Sequence, residues 1–293
     1  MIKLTITEDL EKKLLQNITN FFKNNKTYSY KQIAKITKQH LGISFKKLIL
    51  LKPLELKKIV DKLNTSNPIT MNEDKILFED LYKKFRNSVN GKKFIKNLDL
   101  NVCVYCNRNY IFNFNKKNSS EATAQLDHFF DKSSYPYIAL SVYNLIPSCS
   151  TCNQRKSSQQ KDIIYPYLES FNDNMKFNYK FTNEEVDFFH KDKIQLLFDI
   201  KGKHKKVENY LDIFNIKYLY ENHKDIVLEL IQKREIYPDS YIDELMKNYS
   251  GTIFSSRDEL MRLITCGYVN DEDINKRPLS KLIKDISEEL EFV

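Results

Sequence analysis

Two Cys-x-x-C pairs constrain the fold of this 293-residue chain more than any other feature. The first pair lies in CVYC at 103–106 and the second in CSTC at 149–152. Each pair directs two thiolates at one point, so two pairs complete the tetrahedral sulfur shell of a structural zinc ion. A reducing cytoplasm disfavours disulfides, which favours zinc over two bridges or a chance spacing. The sequence therefore predicts a Zn²⁺ site whose ligands are Cys103, Cys106, Cys149 and Cys152.

The segment between and just after these pairs contains residue types that hydrolytic metal sites use. An Asp–His pair, Asp127 and His128, stands in LDHFF, Asn144 lies in YNLIP, and Asn153 directly follows the last cysteine. A neutral histidine can take a proton from water near pH 7, and carboxylate and amide oxygens suit a hard divalent ion. Taken singly, each residue has an ordinary structural explanation, such as a polar pair or a turn residue. Only their combination and order indicate a site.

This order resembles the HNH family of metal-dependent nucleases, in which a ββα-metal motif holds one divalent ion. LDH at 126–128 matches the first element, Asn144 the middle one and Asn153 the third. Many members have histidine at the third position, so the chain is an HNN variant. An asparagine oxygen there favours Mg²⁺ over softer metals. Arg155 and Lys156, just beyond on the same short helix, are expected to hold substrate phosphate.

Within the HNH family the segment looks closest to proteins that accompany an ATPase in two-gene bacterial anti-phage systems of the Septu type. Those proteins often read EHF-x-PKS-x-YP, whereas this chain has Asp127 in place of the glutamate and Asp131 in place of the proline. The resemblance covers residues 103–156. It implies a defence nuclease with an ATPase protein partner.

The resemblance also implies a role for each site residue. His128 is the expected general base, and Asn144 is expected to hold its imidazole in one orientation. Asp127 and Asn153 are the expected ligands of a catalytic Mg²⁺ or Mn²⁺ ion at the scissile phosphate.

The flanking regions show the three-to-four-residue periodicity of helices. The clearest stripes are at 8–22, 53–63, 74–89, 220–235, 256–269 and 278–290. Cys266 falls on one of these stripes and is expected to be a buried core thiol. Strands are predicted at 110–114 and 122–126, paired as a hairpin across the polar turn NKKNSSE, and two more within 186–200.

These patterns predict an α+β protein, mainly α, in three parts. A basic helical region at 1–100 precedes the HNH module with its zinc knuckles at 101–165, and an acidic, mainly helical region follows at 166–293. The net charges are +11 over 1–102, +3 over 103–165 and −6 over 166–293. A basic end next to an acidic end is typical of a chain that contacts DNA or another polyanion, although solvated helix faces explain the charge equally well.

No apolar run approaches the roughly 20 residues that cross a bilayer, and MIKLTITEDLEKK lacks the apolar segment of a secretory signal. A cytoplasmic location without a membrane partner is therefore expected. Three functions remain open. The first is a metal-dependent HNH endonuclease that cuts DNA or, alternatively, RNA. The second is a zinc-stabilised nucleic-acid-binding or adaptor protein without catalysis, and the third is a nuclease subunit of a larger assembly that contains the ATPase.

Overall fold

The computed structural model describes the chain except for residues 1–2, 66–71, 117–118, 158, 160, 184 and 203. Helices dominate, and the strands form three two-stranded antiparallel sheets within the described residues. The helices are α1 (Glu8–Asn24), α2 (Tyr30–Leu41), α3 (Phe45–Ile49), α4 (Pro53–Thr65), α5 (Asn72–Asn87), α6 (Val89–Asn97), α7 (Ser150–Lys156), α8 (His204–Ile213), α9 (Ile216–Tyr220), α10 (Lys224–Ile236), α11 (Asp239–Tyr249), α12 (Arg257–Thr265) and α13 (Ser280–Glu289). The strands are β1 (Asn113–Lys116), β2 (Ser119–Ala122), β3 (Gln125–His128), β4 (Leu145–Ser148), β5 (Met175–Phe181) and β6 (Ile194–Ile200).

The predicted helical stripes correspond to real helices because their apolar faces pack into the core. In α1, for example, Leu14 and Ile18 are fully buried, and the Thr7 hydroxyl caps the helix by accepting a hydrogen bond from the Leu10 amide at 3.2 Å. Helices α2, α3 and α6 were not singled out by periodicity.

Among the described helices, none combines the length and apolar character that a bilayer crossing requires.

The predicted hairpin within 110–126 is present as an antiparallel pair, but its strands lie nearer the turn than predicted. Strand β1 begins at Asn113 and pairs with β2, so Asn113 lies opposite Ala122, while 117–118 of the predicted turn lie outside the described residues. Thr123 ends this ladder by bonding Phe112 through both its amide and its hydroxyl group. The chain bends at Thr123, and the residues after Ala124 join a different sheet, in which Leu126 is buried.

That second sheet pairs β3 with β4 and is followed at once by α7. Gln125 lies opposite Ser148 and His128 opposite Leu145, so the long segment 129–144 connects the two strands. Strand β4 was not predicted from the sequence, because LIPS is short and contains a proline. The result is a strand, a strand and a helix in succession, with the second cysteine pair at the start of the helix.

The C-terminal region contains the third sheet, and only one of its strands was predicted correctly. Strand β6 falls within the predicted 186–200 range, but its partner β5 lies earlier, at Met175–Phe181. Residues 186–190 form no strand. Helix α13 packs against β5, and the Asp285 carboxylate accepts a hydrogen bond from the Phe177 amide at 2.8 Å.

The C-terminal region is joined to the first cysteine pair by buried hydrogen bonds. The hydroxyl groups of Tyr210 and Tyr220 donate to the carbonyls of Tyr105 and Cys106, at 2.6 and 2.7 Å. Asn107 is fully buried, donates to the Ile274 carbonyl at 3.0 Å and accepts from the Lys281 amide at the same distance. The C-terminal helices therefore form part of the support of the site described next.

Candidate functional site

The four cysteines of the two Cys-x-x-C pairs meet in the interior. Their sulfur atoms all lie within 4.8 Å of one another, and all four residues are buried, free thiols. The first pair lies in a tight turn in which the Asn107 amide donates to the Cys103 carbonyl at 2.9 Å. In the second pair, Cys149 is the N-cap of α7 and Cys152 lies in its first turn. This all-sulfur donor set fits a tetrahedral zinc ion.

Two amide groups beside the cluster favour thiolates at Cys149 and Cys106. The Asn109 side-chain amide donates to the Cys149 sulfur at 3.2 Å, and the Arg108 backbone amide approaches the Cys106 sulfur at 3.5 Å. Hydrogen bonds from the neighbouring thiols, that of Cys103 foremost, lower the pKa of Cys149, and the Asn109 amide lowers it further. A lowered thiol pKa assists metal binding because the thiolate is the ligand.

Cys266 lies apart from the cluster and is exposed, so its predicted place in the core is wrong. Helix α12 ends at Thr265, and Cys266 takes the left-handed conformation with φ of 59°. This turn takes residue 266 off the buried stripe of the helix.

Strand β3 separates the two members of the Asp–His pair. Alternate residues of a strand point to opposite faces, and the contacts of β3 follow this rule. Gln125 and Asp127 face α7, where they contact Asn153 and Lys156, respectively. The ring of His128 instead contacts α5 and the loop after β3.

The Asp127 carboxylate is only 3% exposed and is held by two side chains. The Tyr105 hydroxyl donates to its Oδ2 at 2.6 Å, and the Lys156 ammonium lies 3.1 Å from the same oxygen. Burial raises the pKa of Asp127, whereas the charge of Lys156 lowers it. Because Tyr105 lies between Cys103 and Cys106, this hydrogen bond links the cysteine cluster directly to the carboxylate.

The imidazole of His128 is buried against α5 and the 129–144 segment. Its Nε2 lies 3.0 Å from the Ala139 carbonyl, and its ring meets the edge of the Tyr82 ring with centroids 4.3 Å apart. A carbonyl only accepts hydrogen bonds, so Nε2 carries the proton and Nδ1 keeps the lone pair. Burial lowers the pKa of His128 to about 3, so the ring is neutral at pH 7.

Asn144 supports His128 indirectly. Its amide oxygen accepts from the Phe130 amide at 2.8 Å, and its Nδ2 donates to the carbonyls of Phe130 and Ile138, at 3.1 and 3.3 Å. These bonds close the 129–144 segment and fix the stretch that includes Ala139. The sequence-based expectation gave Asn144 the hydrogen bond to the imidazole, but the structure gives that bond to the Ala139 carbonyl.

The remaining predicted residues lie on α7. Asn153 is half-buried and donates from Nδ2 to Gln125 at 2.6 Å. Arg155 donates to the Phe214 carbonyl at 2.9 Å, and the buried Lys156 donates to the His128 carbonyl at 2.5 Å. In this arrangement, the two basic residues expected at a substrate phosphate bind oxygen atoms of the protein itself.

Asp127, on β3, and Asn153, on α7, both lie where these two elements contact each other. A carboxylate and an amide oxygen form a donor set suited to Mg²⁺ or Mn²⁺, although the Asp127 carboxylate is shared with Lys156 and Tyr105. Sequence reasoning missed Tyr105, Tyr82 and Ala139. The only signal available for Tyr105 was its position inside the first cysteine pair.

Comparison with known proteins gives one informative match. The chain is 31% identical, over an alignment of 108 residues, to the Septu protein PtuB of Bacillus thuringiensis. The alignment covers 34% of this chain and 39% of that protein, so the chain matches well under half of the relative's length. No protein-family model matches the chain, and no solved structure matches it. The similarity agrees with the Septu-type resemblance of the site segment and leaves the HNH family itself to be tested.

Proposed function

We propose that this chain is a metal-dependent HNH endonuclease that hydrolyses phosphodiester bonds in DNA as the nuclease of a Septu-type anti-phage system. The observation that carries the proposal is the combination at β3 and α7. There, Asp127 on β3 faces α7, and Asn153 on α7 contacts β3. The neutral His128 is the last residue of β3, and the four-cysteine cluster lies next to these elements. The similarity to a Septu protein supports the defence context.

Each residue has a defined task in this mechanism. His128 takes the proton of the attacking water at Nδ1, the nitrogen that keeps the lone pair when Nε2 bonds the Ala139 carbonyl. Asn144 keeps that carbonyl in place through the 129–144 segment. Asp127 and Asn153 would hold a Mg²⁺ or Mn²⁺ ion. Such an ion, when bound, stabilises the charge that develops on the leaving oxygen.

A second candidate is a zinc-stabilised nucleic-acid-binding protein without catalysis. The burial of the site favours it, since His128 is 6% exposed and a base with a pKa of about 3 is weak. A nuclease therefore requires substrate binding, or the partner, to move side chains such as Tyr82 away from the imidazole while the bond from Nε2 to the Ala139 carbonyl is kept. The two candidates differ in one measurable property, which is metal-dependent cleavage.

The decisive experiment is nicking of supercoiled plasmid DNA by the purified chain with Mg²⁺ or Mn²⁺. His128→Ala is expected to lose about 10²- to 10⁴-fold in rate, the usual contribution of a general base. His190→Ala is the matched control, because that histidine is exposed and its ring pairs with Asp187. Equal cleavage by the chain and by His128→Ala would assign the activity to another site.

The proposed ATPase partner has its own test. Co-expression with an ATPase encoded by a neighbouring gene, followed by size-exclusion chromatography, should yield a joint peak. If the chain nicks plasmid only within that complex, the partner opens the site. Absence of nicking in both forms would favour the non-catalytic candidate.

A further inference from the structure

A strip of three exposed aromatic side chains lies beside the candidate site and has no role in the mechanism above. Tyr110, Phe112 and Phe114 alternate along the strand segment that leads into and through β1, and they are 46%, 46% and 44% exposed. Ile111, between the first two, is buried. The alternation sets one face of the segment into the core and presents the aromatic face to solvent.

The strip is held in a defined geometry. The rings of Tyr110 and Phe112 stack at 4.5 Å with an interplanar angle of 21°. Thr123 fixes Phe112 from the neighbouring chain segment, since it bonds both the amide and the carbonyl of Phe112. Phe114 lies opposite Glu121 in the β1–β2 ladder. The aromatic face is therefore part of the folded sheet.

The sequence around the strip is basic. Residues 83–121 contain nine lysines and arginines against two acidic residues, Asp99 and Glu121. Helix α6 packs against β1 and β2 and exposes Lys93 and Lys96. The acidic neighbour Glu121 forms an ion pair with Lys92 at 3.0 Å. Exposed aromatic rings next to a basic segment are the combination that binds single-stranded nucleic acid, where bases stack and phosphates pair with lysine.

We propose that Tyr110, Phe112 and Phe114 stack against unpaired bases of a single-stranded stretch of nucleic acid. This inference deepens the proposed function, on which it rests, by naming the form of the substrate. Thr123, the partner of Phe112, is five residues before His128, so the chain between them spans at most roughly 16 Å. One strand of nucleic acid can therefore contact the strip and reach the site.

The occupant could instead be a protein, but the local charge argues for a polyanion. A protein interface core is depleted in charged residues, whereas the strip adjoins α6 and its exposed lysines. The acidic C-terminal region also has exposed aromatic residues, such as Phe189 at 84% and Tyr218 at 77%. Those residues serve as controls for non-specific loss of aromatic surface.

Binding of fluorescein-labelled 15-nucleotide dT and rU oligomers, followed by anisotropy without added divalent ion, tests the proposal. Phe112→Ala and Tyr110→Ala should each weaken binding about 5-fold or more, given the usual strength of base stacking. Tyr218→Ala should bind as the unchanged chain does. Binding of a blunt duplex should change less than that of the single strands, because paired bases offer no free face. The oligomer that binds with the higher affinity shows whether the bases come from DNA or from RNA.

Phe112→Leu keeps an apolar side chain and removes only the ring, so it separates the loss of stacking from a loss of folding. Thermal unfolding checks that each variant is folded. An unchanged affinity in Phe112→Leu and Phe112→Ala, or no oligomer binding by the unchanged chain, would overturn the proposal. Oligomer binding without plasmid nicking would leave the strip standing and refute the nuclease. If the chain nicks plasmid and the strip variants bind the oligomers as tightly as the unchanged chain, the strip is refuted and the proposed nuclease stands.

Discussion

At the scale of single residues, the candidate site depends on contacts that connect Asp127 to both cysteine pairs. Tyr105, inside the first pair, donates to the carboxylate, and Lys156, four residues after Cys152, pairs with it. The same lysine bonds the His128 carbonyl. The positions of the aspartate and of the adjacent histidine backbone are therefore set by residues next to the sulfur cluster.

Tyr105→Phe tests this connection. The variant keeps the ring and removes only the hydroxyl group, so Asp127 loses one of its two side-chain partners. Partners of metal-binding carboxylates typically contribute about 10- to 100-fold to metal affinity or activity, and we expect losses of that size in Mn²⁺ binding, measured by electron paramagnetic resonance, and in nicking.

Tyr167→Phe is the matched control for this variant. It also removes a buried hydroxyl group, one that donates to the Leu145 carbonyl at 2.9 Å and does not contact Asp127. Equal Mn²⁺ affinity in the two variants would show that Tyr105 has only a structural role.

At the scale of elements, α7 brings the cluster and the site together. Its N-terminus provides Cys149 and Cys152, and its last turn provides Lys156. A helix of seven residues has little stability by itself. We therefore expect α7 to depend on a zinc ion, for which the four-cysteine cluster is suited.

Cys152→Ser should remove the zinc and unfold α7 together with the β3–β4 pairing, since zinc-binding energy acts as folding energy in such sites. Cys266→Ser is the control, because that cysteine is exposed and distant from the cluster. Zinc content by mass spectrometry and the melting temperature should fall only in Cys152→Ser. A variant that keeps its melting temperature after losing zinc would show that the cluster has no structural role.

At the scale of the whole molecule, α13 connects the first cysteine pair to the C-terminal sheet. The Lys281 amide bonds Asn107, while the Lys281 ammonium pairs with Asp285 at 2.5 Å. Both side chains of this pair are fully buried. Burial raises the pKa of Asp285 and lowers that of Lys281, and the opposite charge of the partner counteracts both shifts.

Asp285→Ala should destabilise the chain by about 3–5 kcal/mol, because it leaves Lys281 buried without its partner. Asp243→Ala breaks the exposed pair with Arg257 and should cost at most about 1 kcal/mol. Urea unfolding measures both free energies. Replacing both members, as Lys281→Met with Asp285→Leu, should recover most of the loss. A small effect of Asp285→Ala would mean that water reaches Lys281.

The sequence by itself determined the features that depend on local spacing. The Cys-x-x-C pairs predicted the four-sulfur cluster, and apolar periodicity predicted α1, α4, α5, α10, α12 and α13, since both signals lie within a few neighbouring residues. The tertiary structure alone decided the pairing of β3 with β4 and of β5 with β6, because a short strand such as β4 is stabilised by its partner and by the core. It also decided the partners of Asp127 and His128. Tyr105 lies 22 residues from Asp127 and Tyr82 46 residues from His128, and no local pattern encodes a contact that only burial in a common core creates.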